Sequence, residues 1–400
     1  MLCLHQDNIM SRYLSYLNTA AQLIRQYDEV EPFASFLKKY FAQHKKHGSK
    51  DRKQIAHLCY CCFRLGKAGL SIPVEERVIS GLFLCSREPN ELLAALHPEW
   101  NELTGLAPGE KIKAAGSLFA LSEVFPWQDE MSSGTDHLSF CRSFFVQPDL
   151  FLRLRPGMGE RVREKLKQAG IAFAACENDC LALPNTAKVD QVLALNKEAV
   201  VQDYSSQQTG KLLLSAFEQT KKNVAIWDCC AASGGKSIMV MDLLSGNASL
   251  TASDIRESIL VNLRKRFDEA GIKNYRSFTA DVSTGPLPVP SSSFDLVIVD
   301  APCSGSGTWS RTPEQLVYFE AERIEVYSSL QQKIVQQITD AVKPGGYLLY
   351  ITCSVFKKEN EEVVNGLVKT KAVEIAAMQL LKGYDKSADT LFAALLRRSS

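Results

Sequence analysis

The chain has 400 residues, of which 46% are apolar and 23% charged, and its 46 basic and 45 acidic residues leave a formal net charge of +1. That is the composition of a folded globular protein long enough for two or three domains, and it argues against wholesale disorder, a collagen-like or coiled-coil rod and a small disulfide-stapled scaffold. No stretch reaches the roughly 18 consecutive apolar residues of a membrane span, and the first ten residues lack the basic flank and apolar core of a signal segment, so the expected location is cytoplasmic with no membrane partner.

From Arg12 to Leu70 apolar residues recur at helical spacing: Tyr13, Leu14, Leu17 and Ala21, then Phe33, Phe36, Leu37 and Tyr40, then Ile55, Leu58, Cys62 and Leu65. Ser49 and Asp51 are candidate N-cap residues for the last of these helices, and Gly66 stands where its C-cap would fall. Helical patterns continue over 73–86, 91–100 and 110–125, and residues 1–138 read as one all-helical domain closing in a polar linker from Met131 to His137. Charge is unevenly spread: residues 1–70 hold eleven Lys/Arg against five Asp/Glu, 71–140 hold four against eleven, and 142–167 return to seven against three. Two basic stretches therefore flank an acidic one, a distribution suited to a polyanionic partner or simply to solvated helix faces. His57, Cys59, Cys61 and Cys62 fan around a helix axis with no second Cys-x-x-Cys half, so they predict core packing and no metal. The twelve cysteines, irregularly spaced, read as reduced thiols.

Past Ser143 the segments shorten. A strand is predicted over 144–154, a helix over 160–169 and two short strands around Glu177-Asn178-Asp179, a small α/β domain over residues 139–205. A helix over 209–220 then leads into alternating strands and helices, the pattern of a parallel sheet, over residues 206–400. The first strand, Val224 to Trp227, runs into Asp228-Cys229-Cys230-Ala231-Ala232-Ser233-Gly234-Gly235-Lys236-Ser237 and a helix over 238–244. Small residues there let backbone N–H groups approach an anionic or adenosyl ligand at a helix N-terminus. A phosphate-binding P-loop would need Gly where Cys230 stands, which demotes a nucleoside triphosphatase to an alternative.

Three aspartates close the following strands: Asp254, Asp281 and Asp300. An acid at the end of the second strand is placed to hydrogen-bond a ribose. After Asp300 comes Ala301-Pro302-Cys303-Ser304-Gly305-Ser306-Gly307, and the fifth strand, 347–351, is followed by Thr352-Cys353-Ser354. Neighbouring strands lie about 4.8 Å apart, so Cys303 and Cys353 would meet at the carboxyl edge, where two thiols and an acid could face one electron-poor carbon.

These motifs, D-x-C-A-A-S-G-G-K, D-A-P-C-S-G-S-G and T-C-S followed by Glu359-Asn360-Glu361, resemble those of the RsmB (Fmu, Sun) group of S-adenosylmethionine-dependent ribosomal RNA cytosine-C5 methyltransferases. The resemblance implies an α/β fold: a Rossmann-like class I methyltransferase sheet finished by an antiparallel hairpin of 372–378 and 388–396, a NusB-like helical domain, and a small RNA-binding α/β domain. It further implies that Cys230, Ala231, Ala232, Ser233, Gly234, Gly235 and Lys236 hold the methionine end of the cofactor. Asp254 would take its ribose, Asp281 would lie near its adenine, and Asp300 would stand between cofactor and base. Cys353 would add to C6 of a flipped-out cytosine while Cys303 assists release. The implied substrate is small-subunit (16S) ribosomal RNA, with transfer RNA or another RNA as an alternative and a non-catalytic ribosome-assembly factor as a reading of another class. Ser233 replaces the Pro usual in the family. Over 308–313, Trp309 is expected to stack on the target nucleotide and Arg311 to meet phosphate, with a packed Trp309 and a solvent-facing Arg311 as the equal alternative.

Overall fold

A computed structural model describes residues 2–177, 179–217 and 223–399. They pack as two compact units, one of residues 1–129, 136–147 and 309–320, the other of residues 130–135, 148–308 and 321–400.

The first unit is helical. α1 (Leu2–Gln26), α2 (Phe33–Gln43), α3 (Ser49–Phe63) and α4 (Val74–Cys85) bury one apolar face each, and Leu17, Leu23, Phe33, Leu58 and Phe83 meet in a common core. α3 starts at Ser49, so its cap falls one residue before the first one expected. Gly48 is its N-cap, and the Asp51 carboxylate reaches back to accept the Gly48 N–H at 2.8 Å. Cys59 and Cys62 are fully buried in this core, and the Cys59 thiol donates to the Ala20 carbonyl, which is the packing role expected of them.

The predicted helix over 110–125 stops at Ala114, because Gly116 and Ser117 turn into the left-handed region (φ 80° and 56°); a 3₁₀ turn at Leu121–Val124 follows. His137 opens a helix, His137–Ser143, capped by the Asp136 carboxylate on the Ser139 N–H, where the sequence had pointed to the end of a linker. Trp309 also departs from expectation. Its ring is 1% exposed and packs against Phe319, Phe125 and Trp127 with centroids 4.7, 5.9 and 6.0 Å away, so it fills a core and is not offered to a base.

The second unit holds two sheets. β1 (Leu150–Leu154), β2 (Ala174–Ala175), β3 (Cys180–Leu183) and β4 (Ala199–Val201) form an antiparallel sheet in the order β2-β3-β1-β4, with the helix Gly159–Gln168 after β1. β1 is shorter than the strand expected from Phe144 onward, and Asn178 lies outside the described residues. The helix expected over 209–220 is two helices, Tyr204–Gln208 and Lys211–Phe217, broken at Gly210; residues 218–220 lie outside the described ones.

The larger sheet comprises β5 (Val224–Asp228), β6 (Ala248–Asp254), β7 (Tyr275–Thr279), β8 (Phe294–Asp300), β9 (Val342–Thr352), β10 (Val373–Leu381) and β11 (Leu391–Arg398), in the order β10-β11-β9-β8-β5-β6-β7. The five strands β5 to β9 run parallel, and β11 pairs antiparallel with both β9 and β10, which is the expected hairpin. This is a Rossmann-like sheet. Its central strands read as unbroken apolar runs because both faces are covered. Ile226, Leu296, Ile298 and Leu349 pack on one side, and Trp227, Val297, Val299 and Leu348 on the other. The helices that matter for the site are α5 (Gly235–Leu243), α6 (Glu257–Ala270), α7 (Glu322–Ile338) and α8 (Glu361–Thr370). Among the described residues no helix is long and apolar enough to cross a membrane.

Candidate active site

Because β5, β6, β7, β8 and β9 are parallel, their carboxyl ends and the loops after them meet along one edge of the sheet, where open α/β folds bind ligands. After β5 the chain makes a tight turn before α5. Ala231 donates its N–H to the Ser253 carbonyl, and Gly234, at φ 82°, is the N-cap of α5. A Cβ on Gly234 would lie 2.5 Å from Cε1 of Phe267 on α6, so both the backbone conformation and the approach of α6 require glycine. Gly234→Ala is therefore expected to cost about 2–4 kcal/mol from combined strain and overpacking. Thermal denaturation should show a melting temperature lower by roughly 5–15 °C.

The Ser233 next to it is held from outside: Arg266 Nη1 on α6 donates to both its hydroxyl (2.6 Å) and its carbonyl (2.9 Å). The turn therefore has an external clamp at Ser233.

Beneath the turn Asp228 is fully buried, accepts the Ser237 hydroxyl at 2.6 Å with Oδ2 and leaves Oδ1 without a partner; burial pushes its carboxyl up to about 7. Lys236 Nζ sits 2.8 Å from Asp300 Oδ2. Burial works against the ammonium, but the Asp300 carboxylate outweighs it and holds the Lys236 pKa above its ordinary value. With Lys236 committed to Asp300 and Ser237 to Asp228, the two side chains that a P-loop would turn toward phosphate and magnesium face the sheet instead.

In front of the turn lies a cleft of about 470 Å³, within the size range of small-molecule sites. Cys230, Ala232, Asp254, Asp281, Asp300 and Cys303 line it, together with Ile255 and Arg256. Asp254 accepts the Ala232 N–H at 3.0 Å and is paired with Arg256. Asp281 accepts the Ser283 N–H and hydroxyl, which hold its carboxyl below the usual carboxylate range. Three carboxylates and the half-exposed Ile255 offer acceptors for a diol and an ammonium and an apolar surface for a flat ring, so these residues fit S-adenosylmethionine.

The two loops after β8 and β9 converge as expected. Asp300 pairs with Ile351 across the strands, and three residues further on Cys303 Sγ lies 3.2 Å from Cys353 Sγ. The closeness is built in by Gly307, whose N–H donates to the Cys353 carbonyl (2.9 Å) and whose own carbonyl accepts the Thr390 N–H (2.9 Å). A side chain there would meet the Thr390 carbonyl oxygen at 1.9 Å. Cys353 and burial together push the Cys303 thiol well up, so it holds its proton at neutral pH.

The sequence reading quoted Glu359 in its third motif and gave it no role. Its carboxyl is fully buried and accepts from the Ser304 N–H (2.8 Å), the Ser354 hydroxyl (2.7 Å) and Gln331 Nε2 on α7 (3.0 Å). A glutamate six residues beyond Cys353 in a polar run was the only signal, since Gln331 comes from a different part of the chain.

Residues 214–391 match the family described as 16S rRNA methyltransferase RsmB/F. Among curated proteins, the chain is 30% identical over 215 residues to ribosomal RNA small subunit methyltransferase B of Xylella fastidiosa (strain 9a5c), covering 53% of this chain and 49% of that one. It is 32% identical over 158 residues to ribosomal RNA small subunit methyltransferase F of Aeromonas salmonicida (strain A449), covering 39% and 33%. The matched stretch thus spans a third to a half of these relatives' length. Among solved structures, a methyltransferase homolog protein from Pyrococcus horikoshii aligns with a TM-score of 0.56 at 21% identity, covering 67% of this chain and 92% of that one, which supports the fold.

Proposed function

We propose, on the match of residues 214–391 to the family described as 16S rRNA methyltransferase RsmB/F, that the protein transfers a methyl group to C5 of a cytosine in small-subunit ribosomal RNA through a covalent Cys353–C6 adduct. The observation that carries this reading is the pair of thiols 3.2 Å apart at the ends of adjacent parallel strands, beside Asp300 and the cleft. S-adenosylmethionine, when bound, supplies an electrophilic methyl group. Cys230, Ala232 and the turn behind them would hold its methionine end, Asp254 its ribose and Asp281 the adenine side.

This chain's own residues account for the other half of the chemistry. The Cys353 thiolate adds to C6, the C5=C6 electrons then take the methyl group, and Asp300, steadied by Lys236, accepts a hydrogen bond from the cytosine edge. To finish, the C5 proton passes to solvent, the C5=C6 double bond re-forms and the C6–S bond breaks. The Cys303 thiol hydrogen-bonds to the departing sulfur and stabilises it as it leaves. The target base must be unstacked, because C6 is attacked from the ring face.

The test is transfer of labelled methyl from S-adenosylmethionine to unmodified small-subunit ribosomal RNA, followed by nucleoside analysis. Label in 5-methylcytosine is the expected result. Label in another nucleoside, or only in transfer RNA, would replace the substrate or the reaction.

RNA affinity on this reading draws on Lys38, Lys45, Lys46, Lys50 and Lys53, all exposed. The second basic stretch contributes less than its composition implies. Arg153 and Arg155 are ion-paired with Asp242, while Arg161 and Lys165 are paired with Glu198. Replacing Lys45, Lys46 and Lys50 by Gln should flatten the slope of log affinity against log salt by about 2, from roughly 0.7 per phosphate contact on single strands. An unchanged slope in filter binding across a salt series would remove this patch from the RNA footprint.

A further inference from the structure

The turn after β5 has a strained backbone. Ala232 (φ 45°) and Gly234 (φ 82°), on either side of Ser233, both occupy the left-handed region, where the Cβ of an alanine is crowded. Ala232 lines the cleft and donates its N–H to Asp254 Oδ2, so the shape of this turn sets the wall that faces a ligand. Arg266 grips the middle of the turn through Nη1 on both Ser233 oxygens, and its Nε donates to Asn196 Oδ1 at 3.0 Å. Asn196 belongs to the small sheet, three residues ahead of β4, and is buried. Its N–H donates to the Ala199 carbonyl (2.7 Å), its Nδ2 to Glu269 Oε2 on α6 (2.7 Å), and its carbonyl accepts from Arg155. Arg155 also donates to the Ala270 carbonyl at the end of α6 (3.2 Å) and, with Arg153 of β1, is ion-paired with Asp242 on α5. The small sheet thus holds both helices packed about the turn, and one guanidinium carries that hold to Ser233. Neither Arg266 nor Asn196 lines the cleft.

We infer that Arg266, oriented by Asn196, is a positioning residue for S-adenosylmethionine: it holds the turn from Ala232 to Gly234 in the shape that receives the methionine end, and so makes the small antiparallel sheet part of the cofactor site without touching the ligand. The inference rests on the functional reading above for what enters the cleft, but the hold on the turn belongs to the free protein.

Two measurements on the full chain test it: titration calorimetry with S-adenosylmethionine, and amide hydrogen exchange of residues 231–236 in the protein without ligand. Arg266→Ala should weaken cofactor binding by about tenfold, the scale of losing hydrogen bonds from a charged donor. Exchange in the turn should speed up by about tenfold or more as its local opening becomes easier. Asn196→Gly keeps the left-handed backbone (φ 63°) and removes only the side chain; it should weaken the cofactor by about threefold and loosen the same turn. Because Asn196 acts through Arg266, the double variant should bind no more weakly than Arg266→Ala. Leu166→Ala, in the core of the small sheet, should lower the melting temperature and leave cofactor affinity unchanged, which separates positioning from general stability. Unchanged affinity in folded Asn196→Gly, losses that add in the double variant, or an equal loss in Leu166→Ala overturns the inference. If Arg266→Ala does not fold, Arg266→Lys takes its place with about threefold weakening expected, since an ammonium lacks the planar fork that spans Ser233 and Asn196. The two readings fail separately: a turn that loosens in both variants of a protein that binds no S-adenosylmethionine would remove the cofactor reading only, and normal cofactor binding with an unmoved turn in both variants would remove the role of Arg266 and Asn196 only.

Discussion

Cys353→Ala is expected to lower methyl transfer to RNA by at least about 10⁴-fold, the scale seen when a covalent nucleophile is removed. The size of the loss follows from the chemistry. C5 of cytosine is a poor nucleophile until C6 carries an electron-donating sulfur, and with Cys353 gone burial still pushes the Cys303 thiol toward its protonated form, so it is a weak substitute. RNA affinity should stay within about threefold, because binding draws on phosphate contacts away from the thiols. The structure should hold as well, since Cys353 is half-buried and the Gly307 N–H bonds to its backbone carbonyl. Labelled-methyl transfer beside filter binding gives both numbers. Retained activity would end the covalent reading, and a large affinity loss would place Cys353 in RNA binding.

The opposite phenotype is expected of its neighbour. Cys303→Ala leaves the nucleophile, the turn after β5 and the Asp300–Lys236 pair in place, so addition and methylation proceed. Breaking the C6–S bond, however, loses the hydrogen bond that Cys303 offers from 3.2 Å. A protein–RNA species surviving denaturing electrophoresis should accumulate with unmodified RNA and S-adenosylmethionine, and it should disappear in the Cys303→Ala, Cys353→Ala double variant. Release, and with it turnover, should slow by about 10²-fold or more, the scale of losing one hydrogen-bond donor to a developing negative charge. Absence of that species in a preparation that still binds RNA would leave Cys303 a structural role.

The site was legible where chemistry is carried by residues close together in sequence. Small residues between a strand and a helix, an acid closing each of three strands and a cysteine after two of them identify one sheet edge, and β8 and β9 do bring Cys303 and Cys353 together. Contacts assembled from distant segments were not legible. Nothing in the local sequence says that Gln331 and Glu359 share a hydrogen bond, that Arg266 clamps Ser233, or that Arg153 and Arg155 are neutralised by Asp242. Trp309 shows the same limit in reverse. An aromatic residue beside a catalytic motif reads as a stacking platform, but its burial depends on Phe125 and Trp127, nearly two hundred residues earlier. Helix ends were misplaced where a left-handed residue intervenes, as at Ser117, since such a residue carries no periodic signal.

The chain order of the helical unit bears on synthesis. Its third segment, residues 309–320, supplies Trp309 and Phe319 to an aromatic core otherwise built from residues before 147. It also supplies the Ser310 carbonyl that the buried Arg64 guanidinium binds at 2.9 Å, and Glu320, paired with Lys67. A nascent chain emerging amino end first therefore presents α1 to α4 long before their last partners exist. At roughly 5–20 residues per second, translating from 147 to 320 takes on the order of ten to thirty seconds, during which Phe125 and Trp127 await their covering rings. A truncation ending before residue 309 would leave that interval permanent, with apolar surface open to aggregation and to chaperones.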